Sequence, residues 1–509
     1  MGMTLDSPSL TWKDHIKDLR ADCYRRLDLM KIISSPVWGV NLKFLRNFYI
    51  SYIRSKIDYG AVLYDSSHSN SLERLEVVQN SAMRLMLGAR KTSPIFSLQV
   101  ESHIPPLKLH RGYLLVKNYS KLMNKPKNFL TTSSLNLESS DIRPPLNSFK
   151  YKTNLWLKFF NMPKINRSPI PLLSPLPPWV SLAPYITSFY DYNLINNDAK
   201  FSTYVDAQYP QYKKIFTDGS KCHSPTSVAS ALYSETAGQV HCWKLRKDHS
   251  VLGAELYAIN KAIIYANQNY PQSPTIILTD SKTSLLLIQN QNPQTYKSLV
   301  FSIQSKLYHA NLTHNIYLHW VKGHSGIQGN EIADRAANQG HQNDRSEIFP
   351  LTNSENLSIL KVHLKNYWSD YWKTSTSMTG KGLFLFNLRQ GNMKKNSLIF
   401  NSLSRREQVL IQRLRIGHVG TNSYLYRFNI TEDSTCSSCG RALGIIEHYL
   451  LYCPQFDMER NLLETNLQSL GQTTPSLSTL LLANDLPYNL AIAKLVMQFI
   501  RQTDMHNTL

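Results

Sequence analysis

The chain has 509 residues and a formal net charge of +21, from 56 Lys and Arg against 35 Asp and Glu. Hydrophobic residues make up 42% of the chain and aromatic residues 11%, which excludes wholesale disorder, and the length predicts several domains. The basic surplus is spread along the chain and is typical of proteins that bind a polyanion, most often nucleic acid. Six cysteines are too few for a protein held together by disulfides.

The apolar stretches of the chain are all shorter than the 20 or so residues that a membrane-spanning helix needs. The first ten residues also lack the basic and then apolar pattern of a signal peptide. We therefore expect an intracellular protein, nuclear, cytoplasmic or both, with no membrane partner. The sequence carries no recognisable targeting signal and no evidence for a specific protein partner.

Changes in composition and periodicity divide the chain into six predicted segments. In the first, Leu42, Leu45 and Phe48 recur at helical spacing, whereas prolines such as Pro163 and Pro184 interrupt the second. The segments are a helical region (1–125), a Pro-rich connector (126–210), a mixed α/β domain (211–342), a helical linker region (343–430), a cysteine-containing segment (431–460) and a helical tail (461–509).

The α/β segment alternates strand-like and helix-like patterns. Its predicted strands are Lys213–Asp218, Val228–Tyr233, Gln239–Leu245, Thr275–Thr279 and Ile316–Trp320. Its predicted helices are Ala254–Asn267, Ser281–Gln289 and Asn330–Asn338. The short apolar run TIILT (Thr275–Thr279) has the character of a strand buried at the centre of a sheet.

Four acidic residues stand at strand ends or on helices of this segment. Asp218 ends the first predicted strand, Asp280 follows TIILT, and Glu255 and Asp334 lie on helices. Acids at the carboxyl edge of a sheet and on facing helices can converge, and converging carboxylates suit Mg²⁺ or Mn²⁺. Taken singly, each Asp after a strand is equally well explained as a turn or helix-cap residue, and His324 as a residue of a solvated loop. The interpretation as a metal site therefore depends on the ordered set of these residues.

The ordered set Asp218, Glu255, Asp280, His324 and Asp334 resembles the pattern of the type 1 ribonuclease H family. The run HWVKGHSGIQGNEIADRAAN is similar to the histidine loop and final helix of that family. The resemblance covers residues 211–342 and implies a mixed five-stranded sheet with flanking helices. It also implies endonucleolytic cleavage of the RNA strand of RNA/DNA hybrids by a two-metal mechanism.

In this resemblance the four carboxylates hold two Mg²⁺ (or Mn²⁺) ions, and His324 shuttles a proton or assists product release. We expect further contacts to the hybrid from Gly219, Ser220, Ser281 and Asn330. One departure concerns the stretch between Asn290 and Thr313, whose only Lys or Arg residues are two lysines. It therefore lacks the strongly basic helix with which some members bind the hybrid. We expect the flanking regions to bind the substrate instead.

The cysteine-containing segment has the spacing Cys436-x₂-Cys439-x₈-His448-x₄-Cys453. Three thiols and one imidazole are a ligand set for a tetrahedral zinc ion, and we predict one structural Zn²⁺. Incidental burial of three small apolar side chains is the alternative. The middle spacing is longer than in the CCHC knuckles of retroviral nucleocapsids, so single-strand binding does not follow from the motif.

The flanking regions resemble non-LTR (LINE-type, jockey-like) retrotransposon reverse transcriptases. The string YISYIRSKIDYGAVLY resembles the region after the polymerase palm, so 1–125 is interpreted as a thumb-like remnant, and RREQVLIQRLRIGHVGTNSYLYRF resembles the segment before the CCHC motif. The chain contains no Asp-Asp dipeptide, so we expect no polymerase activity from this truncated C-terminal part. A catalytically silent nucleic-acid-binding remnant and the translation of a pseudogene are the alternatives.

Overall fold

A computed structural model describes most of the chain, and its described residues are 2–5, 11–125, 149–163, 165, 175–177, 179–187, 198–393, 402–472, 475–481 and 489–505. The chain forms two compact units. The helical unit comprises Met1–Val116, Arg143–Phe160 and Val362–Leu509, and the sheet unit comprises Lys117–Ile142 and Asn161–Lys361. Over these described ranges, no helix has both the length and the apolar character that crossing a membrane requires.

The helices of the described residues are, in chain order, α1 (Lys13–Ile33), α2 (Leu42–Phe48), α3 (Ser55–Asp58), α4 (Ala61–Tyr64), α5 (Ser69–Leu87), α6 (Ile95–Ser102), α7 (Leu107–Met123), α8 (Phe149–Phe159), α9 (Asp198–Gln208), α10 (Val251–Asn269), α11 (Lys282–Gln289), α12 (Lys297–Ala310), α13 (Gln328–Gly340), α14 (Asn353–Thr379), α15 (Leu383–Leu388), α16 (Arg405–Ile416), α17 (Asn422–Tyr426), α18 (Asp457–Ser469), α19 (Leu477–Leu480) and α20 (Asn489–Gln502). Wider helical turns at Tyr49–Arg54 join α2 to α3.

One mixed sheet of seven strands forms the centre of the sheet unit. The strands are β1 (Ile186–Thr187), β2 (Lys213–His223), β3 (Thr226–Ser234), β4 (Gln239–Leu245), β5 (Thr275–Thr279), β6 (Ile316–Trp320) and β7 (Ser346–Glu347), in the spatial order β1-β6-β5-β2-β3-β4-β7. Strand β2 pairs antiparallel with β3 and parallel with β5. The mixed sheet with flanking helices is as predicted, and the five strands predicted within 211–342 are β2 to β6. The strands β1 and β7 come from outside that range and extend the sheet to seven strands. Two-residue edge strands, β1 and β7, are too short to leave a periodic pattern in a sequence.

Helix α10 and strand β5 are held in the interior of the sheet unit. All five residues of β5 are buried, and most side chains of α10 face the core. The N-terminus of α10 is fixed by Glu355 from the first turn of α14, whose Oε1 accepts a hydrogen bond from the Ser250 N–H at 2.7 Å. The Oε2 atom of Glu355 accepts another from the Thr352 N–H at 2.8 Å. A buried carboxylate therefore satisfies backbone donors that would otherwise have no partner.

In the helical unit the predicted helical periodicity of residues 1–125 corresponds to a packed core. Ile16, Leu27 and Met30 of α1 are buried together with Leu75 and Val78 of α5. A second buried feature is ionic: Glu101 Oε1 lies 2.7 Å from Arg389 Nε and 3.3 Å from Arg415 Nη2. The two guanidinium groups offset the effect of burial and lower the pKa of Glu101, so the cluster holds α6 to later helices as charged groups.

The predicted irregular connector contains two regular helices among its described residues. Helix α8 and helix α9 are free of proline and carry periodic apolar residues, whereas Pro163, Pro175, Pro177 and Pro184 lie between them. Prolines exclude helix only where they stand, because each lacks an N–H and restricts its neighbour. The predicted break at Pro169, Pro171 and Pro178 lies outside the described residues.

Candidate active site and cysteine cluster

Three of the predicted acidic residues meet at one place on the sheet. Asp218 lies on β2, Glu255 on α10, and Asp280 directly after β5. Their carboxylate oxygens all lie within 4.8 Å of one another. Asp218 was predicted at the end of its strand but lies inside it. The reason is that the antiparallel pairing of β2 with β3 continues through polar residues to His223.

Asp334 lies on α13, half-buried, and is not a member of this three-carboxylate group. It is nevertheless near, because its negative charge contributes to the raised pKa of both Asp218 and Glu255. Its Oδ1 accepts a hydrogen bond of 3.1 Å from Asn338 Nδ2. The structure thus gathers three predicted carboxylates closely and sets the fourth at the margin.

The clustered acids hold their protons more strongly than ordinary carboxyl groups. Burial, with the charges of Asp280 and Asp334 added, raises the pKa of Asp218 to about 7. Burial and the charge of Asp218 raise the pKa of Glu255 well above its usual range. Burial also raises the pKa of Asp280, although His324 and Asn330 act in the opposite direction. This is the behaviour of converging carboxylates without a counter-charge.

A divalent cation fits this arrangement. Glu255 is 5% exposed, and its Oε2 has no hydrogen-bond partner within the described part of the chain. A buried carboxylate oxygen without a donor is costly unless a cation contacts it. The donor set consists of oxygens alone, which hard ions such as Mg²⁺ and Mn²⁺ prefer. Asp218, Glu255 and Asp280 are therefore the residues that could hold such ions, with Asp334 beside them.

Gly219 allows β2 and α10 to approach closely enough for the site to form. A Cβ atom at this position would lie 2.5 Å from the Glu255 backbone nitrogen and 2.8 Å from the Ala254 carbonyl carbon. The backbone N–H of Gly219 also acts on the carboxyl groups of Asp218 and Glu255, where it partly offsets the rise in pKa that burial causes. Gly219 positions two carboxylates through its backbone and through the absence of a side chain.

Replacing Gly219 with Ala is expected to separate α10 from β2 and so move Glu255 relative to Asp218. Displacing reacting groups by about 1 Å costs on the order of 100-fold in rate, so we expect at least that loss of any metal-dependent activity. Gly238→Ala is the control, because Gly238 has a positive φ of 62° but open space around it. It should cost about 1–2 kcal/mol of stability and leave the rate unchanged. Equal rates in Gly219→Ala and wild type would contradict the positioning role.

His324 lies on the exposed loop between β6 and α13, with a positive φ of 50°. Its charge lowers the pKa of Asp218 and Asp280, so the imidazole is within electrostatic reach of the carboxylates. The loop backbone passes closer still, because a Cβ on Gly323 would lie 2.7 Å from Asp280 Oδ2. This position is compatible with proton transfer, and the role of His324 remains a prediction.

The four predicted substrate contacts have different surroundings. Ser220 Oγ donates to Asn338 Oδ1 at 2.8 Å and lies 3.2 Å from His341 Nε2, and Ser281 Oγ lies 2.8 Å from Ser284 Oγ. Asn330 is 4% exposed and hydrogen-bonds to Asp280, so it holds a carboxylate in place. Their contact with substrate, like that of Gly219, stays a prediction.

Sequence reasoning did not single out Asn338, which contacts both Ser220 and Asp334. Asn338 lies four residues after Asp334 on α13, so both side chains project from one face of that helix. That spacing was the signal that could have identified it. Asn338 therefore links the marginal carboxylate to a residue of β2.

The four residues of the cysteine motif also converge. Cys436 Sγ lies 3.8 Å from Cys453 Sγ, and Cys439 Sγ lies 3.3 Å from His448 Nε2, with all four ligand atoms within 4.8 Å of one another. Two thiolates on one tetrahedral zinc ion, each at about 2.3 Å from it, stand about 3.8 Å apart. A turn through Gly440, with φ 63°, returns the chain after the first two cysteines. All four residues form one Cys₃His group.

Protonation of this group also suits a metal. Burial raises the pKa of Cys453 to about 12, so this side chain is a protonated thiol unless a cation lies beside it. Burial would raise the pKa of Cys436 as well, but backbone N–H groups of Cys439 and Ser438 stabilise its thiolate and lower the pKa overall. Burial and Arg460 lower the pKa of His448, so its imidazole is neutral, as a ligand must be. The donor chemistry fits zinc.

Residues 210–342 match the family model for RNase H. The chain therefore contains an RNase H domain. It is 29% identical over 137 residues to a ribonuclease H of Orientia tsutsugamushi (strain Boryong), in an alignment covering 25% of this chain and 80% of that protein. A solved structure of the foamy viral protease-reverse transcriptase in complex with dsDNA aligns with 26% of this chain and 96% of that chain, at 23% identity and a TM-score of 0.23.

The RNase H domain contains every residue of the three-carboxylate group as well as His324 and Asp334. The resemblance predicted for 211–342 is thus confirmed at the level of the domain. The retrotransposon context of the flanking regions and the division into six segments stay predictions.

Proposed function

We propose that this chain hydrolyses the RNA strand of RNA/DNA hybrids by a two-metal mechanism. The observation that carries the proposal is the group of Asp218, Glu255 and Asp280, whose carboxylate oxygens lie within 4.8 Å of one another inside an RNase H domain. These residues and Asp334 would hold two Mg²⁺ ions, or Mn²⁺. When bound, such ions generate a nucleophile from water and stabilise the attacking and leaving oxygens of an in-line displacement.

The chain's own residues position the carboxylates of this site and transfer protons there. The Gly219 N–H and the Asn330 side chain hold the carboxylates in position. The imidazole of His324 takes up or releases a proton at the exposed rim of the site. Gly219, Ser220, Ser281 and Asn330 are the proposed contacts to the hybrid. Reading the 2′-hydroxyl is what selects the RNA strand.

The decisive experiment incubates the purified full-length chain with an end-labelled RNA/DNA hybrid and Mg²⁺, beside Asp280→Asn. We expect wild type to cut the RNA strand internally, leaving 5′-phosphate and 3′-hydroxyl ends, and the variant to leave it intact. Single-stranded RNA and duplex DNA of the same sequence serve as controls. No cleavage by wild type would support the catalytically silent nucleic-acid-binding remnant instead. Equal cleavage by both proteins would contradict hydrolysis at the three-carboxylate group.

Mg²⁺ should stabilise the protein more at high pH than at low pH. In the metal-free protein, burial and the neighbouring carboxylates raise the pKa of Asp218 from 3.8 to about 7. Between these two pH values the folded state therefore holds a proton that the unfolded state releases. The contribution of this group to stability is therefore largest in acid and is lost as pH rises towards 7. Mg²⁺ must displace that proton, so its stabilising effect grows over the same range. Unfolding midpoints with and without Mg²⁺ at about pH 6 and about pH 8 test this, and a constant shift would contradict it.

A structural zinc ion at Cys436, Cys439, His448 and Cys453 is proposed on the donor set and its spacing. Three thiolates, formed when the cysteines release their protons, and a neutral imidazole would complete the usual closed tetrahedral zinc site, which leaves no open position for chemistry. The ion would fix the turn and the helical residues around it. Whether the segment also contacts nucleic acid is decided by binding measurements on zinc-loaded protein.

The wider context is proposed on sequence resemblance. The flanking strings and the basic surplus support an origin in a non-LTR retrotransposon, and the absence of an Asp-Asp dipeptide supports a protein that lacks polymerase activity. The nucleic-acid partner implied by the charge and by the RNase H domain agrees with an intracellular, nuclear or cytoplasmic location. Primer extension on a primed RNA template, with no product expected, tests the polymerase statement.

A further inference from the structure

A large cavity lies within the helical unit. Among the described residues it has a volume of about 1680 Å³, and its walls come from α5, α7, α8 and α14 and from the turns beside α15 and after α17. Pockets for small molecules have about 300–1,000 Å³, so the size favours an extended ligand. The RNase H domain contributes none of the lining residues among those described, so the cavity is separate from the carboxylate site.

Positive charge prevails in the lining of this cavity. Six Lys or Arg residues line it against three acidic residues, and the acids are already engaged. Asp65 contacts both Arg111 and Lys152, and Glu76 accepts hydrogen bonds from the backbone at the start of α7. The lysine of the Gly380-Lys381-Gly382 turn is exposed.

One cation of the lining is buried and incompletely bonded. Arg111 is only 6% exposed, and its Nε donates to Asp65 Oδ1 at 2.9 Å. Its Nη1 atom has no hydrogen-bond partner among the described residues. Arg111 shares Asp65 with Lys152, so one carboxylate faces two cations at this wall of the cavity. With six cations against three acids, the lining keeps a positive excess that favours a polyanionic ligand.

Aromatic rings stand between these cations. Eight aromatic residues line the cavity, and three of them are half-exposed: Phe159 at 38%, Tyr371 at 39% and Phe428 at 39%. The rings of Phe159 and Tyr367 lie 4.1 Å apart, and those of Phe96 and Tyr371 lie 5.7 Å apart. Phe159 and Tyr371 are thus each packed against another ring of the lining while remaining partly exposed. Partly exposed aromatic faces interleaved with cations are the recognition surface for single-stranded nucleic acid.

We propose that this cavity of the helical unit binds single-stranded nucleic acid, with bases stacked on Phe159, Tyr371 and Phe428 and phosphates placed on Lys381. Stacking reads no hydrogen-bond pattern, so binding is tolerant of sequence. Duplexes, whose bases are already stacked on one another, bind less well here. The site is independent of hydrolysis in the RNase H domain.

The test measures fluorescence anisotropy of a labelled oligo(dT) of about 20 nucleotides with the full-length chain in Mg²⁺-free buffer. Oligo(dT) is not a substrate for RNA hydrolysis. Tyr371→Ala should weaken binding at least about fivefold, and Tyr371→Phe, which keeps the stacking face, should restore it. Lys381→Gln should weaken binding and reduce the salt dependence by about one ion.

Matched controls are Tyr59→Ala and Lys43→Gln, both exposed residues of the helical unit outside the cavity. They should bind oligo(dT) like wild type, and the Tyr371 and Lys381 variants should keep the wild-type unfolding midpoint. Equal affinity of Tyr371→Ala and wild type would overturn the proposal, as would loss of binding in Tyr371→Phe or tighter binding of duplex DNA than of oligo(dT). Failure of hybrid cleavage with oligo(dT) binding intact would refute the RNase H proposal and leave this one standing.

Discussion

Replacing Glu255 with Gln is expected to slow hydrolysis of the hybrid on the order of 10²–10³-fold and, at the same time, to stabilise the metal-free protein. Glu255 is buried, its pKa is raised well above the usual range by burial and by Asp218, and its Oε2 lacks a partner. A neutral amide of the same shape removes the cost of burying a carboxyl beside two others. It also removes a proposed metal ligand, and loss of one such electrostatic group costs on the order of 10²–10³ in rate.

Two measurements make this prediction specific. Thermal unfolding without Mg²⁺ should give a midpoint for Glu255→Gln equal to or above that of wild type, while the stabilisation by added Mg²⁺ should shrink. Glu331→Gln is the matched control, since Glu331 is an exposed carboxylate on α13 outside the three-carboxylate group. It should change neither quantity. A marked loss of stability in Glu255→Gln would mean that the carboxylate serves the fold and not the site.

Replacing Cys436 with Ser is expected to release the zinc ion and unfold the segment around it. Cys436 is 1% exposed, and its Sγ lies 3.8 Å from that of Cys453, so a hydroxyl cannot replace its contacts. Structural zinc sites contribute about 10–16 kcal/mol of apparent binding free energy in small domains, which exceeds the stability of most domains. Elemental analysis should find one zinc per wild-type chain and none in the variant.

Cys23→Ser provides the comparison. Cys23 is also fully buried, but it lies on α1 and does not belong to the Cys₃His group. It should lower the unfolding midpoint through packing while retaining one zinc per chain. Susceptibility to limited proteolysis between 431 and 460 should rise only in Cys436→Ser. Wild-type protein purified without zinc, yet cooperatively folded in that segment, would contradict a structural metal site.

Local pattern was sufficient to predict the centre of the sheet unit and its carboxylates. TIILT followed by Asp280 could be assigned to a buried strand because a short apolar run bounded by Pro274 and an acid has few other solutions. Helix α10 was recognisable from its apolar periodicity and its alanines. The order of the acids along the chain, combined with the family resemblance, then gave the residues that meet in space.

Other features could not be predicted because they depend on contacts between distant parts of the chain. Glu355 hydrogen-bonds to Ser250, more than 100 residues earlier, and no local pattern marks that pair. Strand β7 consists of two residues whose structure comes from pairing with β4. The cavity of the helical unit draws its lining from residues between 65 and 428, so its mixture of charge and aromatic rings exists only after folding.

The capping of α10 by Glu355 sets a lower limit on the fragment that can be studied in isolation. The RNase H match ends at residue 342, but Glu355 fixes the start of the helix that carries Glu255, and β7 completes an edge of the sheet. A fragment ending at the family boundary would leave the Ser250 N–H without its acceptor and β4 without its neighbour. Such a fragment would fray at the helix that carries Glu255, a proposed metal ligand, and its inactivity would say nothing about the whole protein. Domain dissection of this chain should therefore retain the residues up to Lys361.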